Sequence, residues 1–185
     1  MKIIGFTDIP FQRENASSPA EAGGVRGVEM VLKGDSCLLN NRKPFFVPDG
    51  TDDVRWKACV VLRVSRLGKN IQPRFASRYY DAAAPGADFY AADLLSEART
   101  SGSSWTEAMC FDFSLAVGEY GPAECLPEDL CIAADEAVHR ASRCTTIRQG
   151  DLIYIHRTQP AQKAVREQVI TEGPAENPTL YCKIK

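Results

Sequence analysis

The chain has 185 residues, which is enough for one domain with a substantial apolar core. Its hydrophobic fraction of 44%, charged fraction of 25% and net charge of −2 are those of an ordinary soluble domain. The apolar runs are too short to span a bilayer, and Lys and Arg form no basic stripe of the kind that nucleic acid requires. We therefore expect no membrane and no nucleic acid as partners.

Further features of composition point to a cytoplasmic location. The first fifteen residues, MKIIGFTDIPFQREN, lack the apolar stretch of a signal peptide. The cysteine count is seven, an odd number, and no CxxC pair occurs, which argues against a disulfide framework and against a structural zinc site. We expect most of these thiols to be reduced residues of the core.

In chain order, short predicted strands alternate with turns rich in Gly, Pro, Ser and Asp. The predicted strands are KIIGF (2–6), VEMVL (28–32), WKACVVLRV (56–64), MCFDFSLAV (109–117), DLIYIHR (151–157), EQVIT (167–171) and LYCKIK (180–185). The predicted turns lie at 14–24, 47–53, 82–88, 98–104 and 171–178. This pattern is typical of a strand-dominated protein.

Helices are predicted in fewer places. Pro73 suits the first turn of a helix over PRFASRYYDAA (73–83), and Ser104 with Glu107 forms a capping-box pattern that opens a short turn. The segment 127–143 is ambiguous, because its residues favour a helix but also fit two strands joined at Asp135 and Glu136.

The stretch VRWKACVVLRV (54–64) has two unlike faces when it is placed on a strand. One face carries Ala58, Val60, Leu62 and Val64 and is suited to a core. The other carries Lys57, Cys59, Val61 and Arg63. A fully buried face would not tolerate two unpaired cations, so this second face predicts a functional or solvent-facing surface.

Five spaced segments together resemble the fumarylacetoacetate hydrolase family. They are VEMVLKGDSCLL, VPDGTDDVRWKACVVLRVSRLGKNI, RYYDAAAPGADFYAADLL, SWTEAMCFDFSLAVG and IRQGDLIYI. The match covers residues 28–155, preceded by a short strand and loop (1–27) and followed by divergent strands (156–185), and we interpret 1–185 as one domain. The resemblance implies an α+β fold, a strand-rich mixed β-roll or sandwich of the family's C-terminal domain type with a few short helices. It also implies a hairpin at 129–142 and a homodimer.

In the family, two glutamates on a strand and one aspartate hold Mg²⁺ or Mn²⁺, which stabilises an enolate during reactions of oxo acids. By resemblance, Asp88 falls on the aspartate position and Lys33 on a strand-end lysine, whereas the two glutamate positions hold Lys57 and Cys59.

Other family positions are kept in part. Asp93 is retained beside Ala92, which stands where the family has arginine, and Met109 stands where the family has lysine, before the retained Phe111 and Asp112. The closing Thr-Gly-Thr-Pro becomes His156–Gln159, and no histidine precedes His139 to form the family's His-Glu lid pair.

A lone aspartate beside an ammonium group holds a hard divalent ion poorly. We therefore expect no cofactor, and we expect Asp88 to be the only surviving ligand position. The candidate residues of this remnant site are Lys33, Lys57, Cys59, Arg63, Asp88, Asp93 and Met109.

Alternatives remain open for the cationic residues. Lys57 either pairs with Asp88 or is a solvated strand lysine, and Lys33, Lys57 and Arg63 either form a pocket for a carboxylate or phosphate or are neutralised by loop acids. Cys59 as a nucleophile is disfavoured because no histidine base is matched to it, and His139 and His156 are expected to be ordinary core or surface groups.

Three functions fit the sequence. The first is a degenerate, metal-free relative of the family that binds a small anion or a partner. The second is an active hydrolase, decarboxylase or isomerase that acts on β-dicarbonyl or oxo acids with altered machinery. The third is a structural subunit of an oligomer that contains an active relative. We rank them in this order, because two of the three ligand positions have changed.

Overall fold

A computed structural model describes residues 1–7 and 30–185. The predicted turn at 14–24 and the start of the strand at 28–32 lie outside these residues. The strands are β1 (Ile3–Phe6), β2 (Met30–Lys33), β3 (Leu38–Asn40), β4 (Val54–Val64), β5 (Tyr80–Ala91), β6 (Leu115–Val117), β7 (Gly121–Pro122), β8 (Leu152–His156), β9 (Gln162–Lys163), β10 (Val169–Glu172) and β11 (Leu180–Lys183). The α-helices are α1 (Ala92–Ser101), α2 (Thr106–Met109) and α3 (Glu128–Cys144), and short 3-10 helices cover Asp35–Cys37, Pro73–Tyr79 and Ala123–Cys125.

Nine of the described strands form one mixed sheet with the order β2-β1-β8-β4-β5-β6-β3, in which β7 also pairs with β5 and β9 with β4. The β1–β8 and β3–β6 pairs are parallel, and the other pairs of this sheet are antiparallel. Strands β10 and β11 form a separate antiparallel hairpin. This strand-rich mixed sheet with a few helices confirms the predicted α+β class.

Strand β4 is central, and the sheet curls around it so that both of its faces are covered. Val60 and Leu62 pack in the cluster that contains the apolar face of α3. On the opposite face, Cys59 and Val61 pack inside the curl in a second cluster, which also contains Tyr154. The predicted alternation of β4 is therefore confirmed, but its second face is largely interior, because the sheet folds over it.

Strand β5 corrects two predictions, the helix over 73–83 and the turn at 82–88. The helix is confined to the 3-10 turn Pro73–Tyr79, and the chain then runs extended for twelve residues along β4. Pro85 lies between the part of β5 that pairs with β6 and the part that pairs with β7, so its missing N–H is tolerated. Position 86 requires glycine because strand β4 lies so close that a Cβ there would be 2.8 Å from Cys59 Sγ. Contacts with neighbouring strands thus explain why both turn formers occur in a strand.

Helix α3 contradicts the hairpin expected at 129–142. The segment is one continuous helix, and its alanines supply both high helix propensity and a narrow apolar stripe that lies against the sheet. The stripe consists of Ala133, Ala134, Ala137, Val138 and Ala141, all fully buried. The helical alternative considered for 127–143 is the one that the chain adopts.

The region 92–117 also differs from expectation. The turn predicted at 98–104 contains the end of α1, which stops at Gly102 in the left-handed conformation with φ +71°. Of the strand predicted over 109–117, only Leu115–Val117 pairs in the sheet. Ser104 accepts a hydrogen bond from the backbone N–H of Thr106, but helix α2 has no side-chain cap at its N-cap position.

None of the described helices has the length and apolar character needed to cross a membrane.

Gly5 is a position where the fold leaves no room for a side chain. A Cβ at Gly5 would lie 2.0 Å from the ring of Tyr154, which is itself buried. We expect Gly5→Ala to lower the free energy of unfolding by about 1–3 kcal/mol, because the ring must move in a packed interior. Gly34→Ala is the control, since nothing lies within 4 Å of a Cβ there. Urea denaturation of the two variants checks this, and equal losses would contradict the close packing of Tyr154.

Candidate functional site

Three buried ionisable side chains meet inside the curl of the sheet. Asp88 on β5 lies opposite Lys57 of β4, and His156 on β8 lies opposite Cys59 of the same strand. Because β4 runs between β5 and β8, Asp88 and His156 share its inner face and meet across it. Lys33 reaches the same point from the end of β2.

Asp88 is the centre of this group. Its Oδ1 lies 2.7 Å from Lys33 Nζ, and its Oδ2 lies 2.7 Å from His156 Nε2. The side chains of Lys33 and Asp88 are both 0% exposed, and that of His156 is 4% exposed. We call these three residues the buried triad.

The ammonium group of Lys33 makes two hydrogen bonds in addition to its ion pair with Asp88. It donates to the hydroxyl of Ser114 at 2.9 Å and to the carbonyl of Ser114 at 3.2 Å. The Ser114 hydroxyl in turn donates to the carbonyl of Met109. A lysine buried in this way retains its charge only with such partners, because an unpaired ammonium is strongly disfavoured in a core.

The charges of the triad set the state of Asp88. Burial would raise the pKa of this carboxyl group, but the Lys33 ammonium and the hydrogen bond from His156 outweigh it and hold the pKa below its usual range. Asp88 is therefore ionised and can only accept hydrogen bonds.

Two further side chains beside the triad are uncharged. Burial, together with the nearby Asp88 carboxylate, raises the pKa of the Cys59 thiol and that of the Tyr154 hydroxyl well above their ordinary values. Cys59 is consequently a neutral thiol packed against Gly86, which removes the basis for a nucleophilic role. The Tyr154 ring lies 5.9 Å from Lys33 Nζ, at a distance where its face stabilises the cation.

A cavity of about 680 Å³ lies beside the triad. The described residues that line it are Thr7, Lys57, Tyr90, Ala92, Leu95, Ser96, Arg99, Thr100, Met109, His156, Pro160 and Ala161. They include two cationic side chains, Lys57 and Arg99, and none of them is a carboxylate. The imidazole of His156 thus joins the buried triad to a cavity whose described lining is basic.

The structure separates the predicted cations from one another. Lys57 is half-buried in the cavity wall and lies opposite Asp88 in the strand register, whereas the ion pairs of Asp88 are with Lys33 and His156. Arg63 is exposed six residues further along β4, about 20 Å away, and pairs with Asp81 at 3.0 Å. The predicted pocket of Lys33, Lys57 and Arg63 is therefore not formed.

Met109 lines the cavity, whereas Asp93 is not among the described residues that line it. Asp93 is exposed in the first turn of α1, where hydrogen bonds from Thr51 and from the backbone of Asp52 and Leu94 lower the pKa of its carboxyl group to about 2. It ties the 47–53 turn to α1. Met109 is buried at the end of α2 and lines the cavity.

The two retained aromatic and acidic positions before Ser114 are not part of the triad. Phe111 packs against Phe45 with ring centroids 6.3 Å apart, and Asp112 precedes the left-handed Phe113 in the turn that leads to β6. They shape the turn that presents Ser114 to Lys33.

The residues around Asp88 do not fit a hard divalent cation. Both carboxylate oxygens face cationic or hydrogen-bonding partners within 2.7 Å, and the neighbouring thiol is neutral. Across residues 1–7 and 30–185, no group of three or more His, Cys, Asp and Glu side chains is placed to hold a metal ion. In this structure Asp88 is an ion-pair partner of Lys33 and His156.

Sequence reasoning missed His156 and Ser114. The signal for His156 is available in DLIYIHR, because strand alternation puts Leu152, Tyr154 and His156 on one face and leaves a histidine at the end of an otherwise apolar row. Ser114 carries no such signal, since its contact with Lys33 depends on the turn at 110–114. His139 is remote from the triad and bonds the carbonyl of Ile71 through Nδ1.

Solved structures share the whole fold. The fumarylpyruvate hydrolase from Pseudomonas aeruginosa is 17% identical with a TM-score of 0.81, and the alignment covers 100% of this chain and 89% of the hydrolase. A protein from Yersinia pestis described as a fumarylacetoacetate hydrolase family protein is 14% identical with a TM-score of 0.79, over 100% and 93% of the two chains. The 5-carboxymethyl-2-hydroxymuconate delta-isomerase from Mycobacterium smegmatis is 17% identical with a TM-score of 0.69, over 99% and 78%.

No protein-family model and no curated protein sequence matches the chain. The structural matches nevertheless span nearly all of it, and the fold is that of the fumarylacetoacetate hydrolase family, as the spaced segments predict.

Proposed function

We propose that this chain is a metal-free relative of the fumarylacetoacetate hydrolase family that binds a small organic anion in the cavity beside the buried triad. The observation that carries the proposal is that both oxygens of Asp88 are engaged within the protein, Oδ1 by Lys33 Nζ and Oδ2 by His156 Nε2, each at 2.7 Å. No second or third carboxylate stands beside Asp88 at the two family glutamate positions, and the family's hydrolase chemistry is lost with the metal ion.

The substitutions on β4 support this proposal. Lys57 and Cys59 stand at the positions of the two glutamates, and neither supplies an oxygen ligand. The charge that the site keeps is positive at Lys33 and Lys57 and negative at Asp88. A cavity whose described lining is basic suits an anion that is held by the protein itself.

The cavity supports the choice of ligand class. Its volume of about 680 Å³ is that of a site for a small molecule, and hydroxyl groups of Thr7, Ser96 and Thr100 lie among its cationic lining residues. A carboxylate finds both charge and hydrogen-bond donors there. The structurally similar hydrolase from Pseudomonas aeruginosa is known in complex with Mn²⁺ and pyruvate, which makes pyruvate a suitable first probe.

Binding is tested by calorimetric titration of the EDTA-treated protein with pyruvate and with oxaloacetate. We expect saturable binding without metal, and we expect Lys57→Gln to weaken it by about 10- to 100-fold, the effect of losing a hydrogen bond to a charged group. Arg63→Gln makes the same change of charge on the same strand, but it lies outside the cavity and should leave binding unchanged. Equal effects of the two substitutions would place the ligand elsewhere, and absence of binding to either acid would contradict the proposal.

An enzyme that acts on oxo acids is the second candidate. The contact between His156 and Asp88 favours it, because a histidine held by a buried carboxylate at the edge of a cavity is equipped for proton transfer.

A further inference from the structure

We infer that five exposed arginines around the C-terminal half of helix α3 form a docking surface for an acidic segment of a partner protein. We call them the arginine surface, and they are Arg66, Arg74, Arg78, Arg143 and Arg148. None of them lines the cavity beside the buried triad, so the inference goes beyond the proposed function and does not depend on it.

Charge is distributed unevenly along the chain. Residues 65–80 and 137–150 together contain seven of the 22 basic residues and none of the 24 acidic ones. The other 155 residues therefore hold 15 basic and 24 acidic residues, which gives them a net charge of −9. A protein that is weakly acidic as a whole thus has two strongly basic segments.

The fold places these two segments side by side. Gly68 and Ile147 exchange backbone hydrogen bonds of 3.0 Å in both directions. The ammonium group of Lys69 donates to the carbonyl of Arg143 at the end of α3. The buried side of the 3-10 helix Pro73–Tyr79 shares one apolar cluster with α3. Basic residues that are scattered in the sequence are therefore collected on one part of the surface.

The five guanidinium groups have no carboxylate partner among residues 1–7 and 30–185. The carboxylates at the borders of the two segments already have partners within the protein: Asp81 has Arg63, Asp135 has Tyr80, Glu136 has Arg140 and Asp151 has Lys2. Like charges that are gathered in this way repel one another and attract an external anion. Arginine in particular suits carboxylates, because its planar fork donates two parallel hydrogen bonds to one carboxylate group.

Phe75 holds two of these arginines in place. Its ring is 37% exposed, and the guanidinium carbons of Arg74 and Arg78 lie over it at 4.7 Å and 5.1 Å from the centroid. Such cation–π contacts restrict the two long side chains before a partner binds, which reduces the entropy that binding costs. Leu67, which is 70% exposed, adds an apolar contact at the same surface.

The surroundings of the arginine surface favour a short acidic segment over a long polyanion. A nucleic acid or an anionic membrane extends beyond the basic segments and meets the rest of the protein, whose net charge is negative. The ring of Phe75 is already covered in part by its own arginines, so little of it is left for a base to stack on. An acidic protein segment needs only the area that the five arginines occupy.

Fluorescence polarisation of a labelled octaglutamate peptide tests the inference on the full chain. We expect saturable binding at low salt with a Kd on the order of 100 μM, the strength of about five exposed ion pairs, and a loss of binding as salt screens them. Absence of saturable binding overturns the inference. Tighter binding to an oligothymidylate of the same charge, or to vesicles of equal parts phosphatidylserine and phosphatidylcholine, overturns the assignment to an acidic protein segment.

Charge reversal locates the site. Arg74→Glu combined with Arg78→Glu should weaken octaglutamate binding by at least about tenfold, since two attractions become repulsions. Lys43→Glu combined with Arg166→Glu is the control, because it reverses two exposed cations beside the β10–β11 hairpin, outside both basic segments. Equal weakening by the two double variants would show that only net charge matters, and would overturn the inference.

A second measurement needs no variant. Backbone amide NMR shifts of the wild-type protein are followed while octaglutamate is added. We expect the largest shift changes at residues 66–78 and 140–148. Changes centred elsewhere would overturn the inference even if the charge-reversed variants did not fold.

Discussion

Replacing Lys33 with methionine is expected to lower the free energy of unfolding by about 3–5 kcal/mol, the cost of leaving one partner of a buried ion pair uncompensated. Methionine fills a similar volume but cannot neutralise Asp88, whose side chain is 0% exposed. It also removes the Lys33 donor from the hydroxyl of Ser114 and leaves the Ser114 carbonyl with the backbone N–H of Phe89 as its donor. Urea denaturation followed by circular dichroism measures the change.

The control for this substitution is Lys183→Met. Lys183 pairs with Glu167, which is 71% exposed, and surface ion pairs of this kind contribute less than about 1 kcal/mol. Combining Lys33→Met with Asp88→Asn removes both charges of the buried pair. The loss of unfolding free energy in the double variant should therefore be about 2–3 kcal/mol smaller than the sum of the two single losses. Additive losses would show that Lys33 and Asp88 do not interact, contrary to the 2.7 Å contact.

Asp88→Asn is the second substitution with a large expected effect, and its effect depends on pH. At pH 7 we expect a loss of about 3 kcal/mol or more, because the Lys33 ammonium is left buried opposite a neutral amide. The loss should become smaller in acid, where Asp88 of the wild-type protein is itself protonated and resembles asparagine.

The sign and range of this dependence follow from the pKa of Asp88. Its pKa is lower in the folded protein than the ordinary value of about 3.9 for an unfolded chain. The ionised carboxylate therefore stabilises the folded state fully above about pH 4 to 5, and this contribution is lost as pH falls through the lower folded pKa. Denaturation of wild type and variant between pH 2 and 7 checks it, and a difference that grows toward acid would contradict the ionised state.

The family resemblance predicts more of the fold than the secondary-structure propensities of the residues do. The alternation in VRWKACVVLRV correctly assigned its two faces, because strand geometry is local and strict. The ordered family segments gave the fold class. They failed at α3, where a run of alanines at helical spacing outweighed the resemblance.

Strand β5 could not be found from local signals, since Pro85 and Gly86 are ordinary turn formers. Their tolerance in a strand depends on tertiary contacts, namely a gap between neighbouring strands at Pro85 and the close approach of Cys59 to Gly86. Such contacts become visible only when the sheet is assembled.

The sequence predicts which residues form the candidate site, but it does not predict their contacts. Asp88, Lys33 and Lys57 were all identified from the resemblance, and Lys57 was considered as the partner of Asp88. The observed partners are Lys33 and His156, because the side chains that meet inside a curled sheet come from strands far apart in sequence. Arg63 was grouped with them only because it shares a strand face, although it lies at the far end of β4.

The central claim is that Asp88 is paired with Lys33 and His156 and binds no divalent cation, and calorimetric titration with Mn²⁺ and Mg²⁺ after EDTA treatment tests it most directly. We predict no saturable heat at micromolar concentrations of either ion in the wild-type protein. Micromolar binding of either ion that is abolished by Asp88→Asn would contradict the claim, since it would show that Asp88 is a metal ligand despite its contact with Lys33.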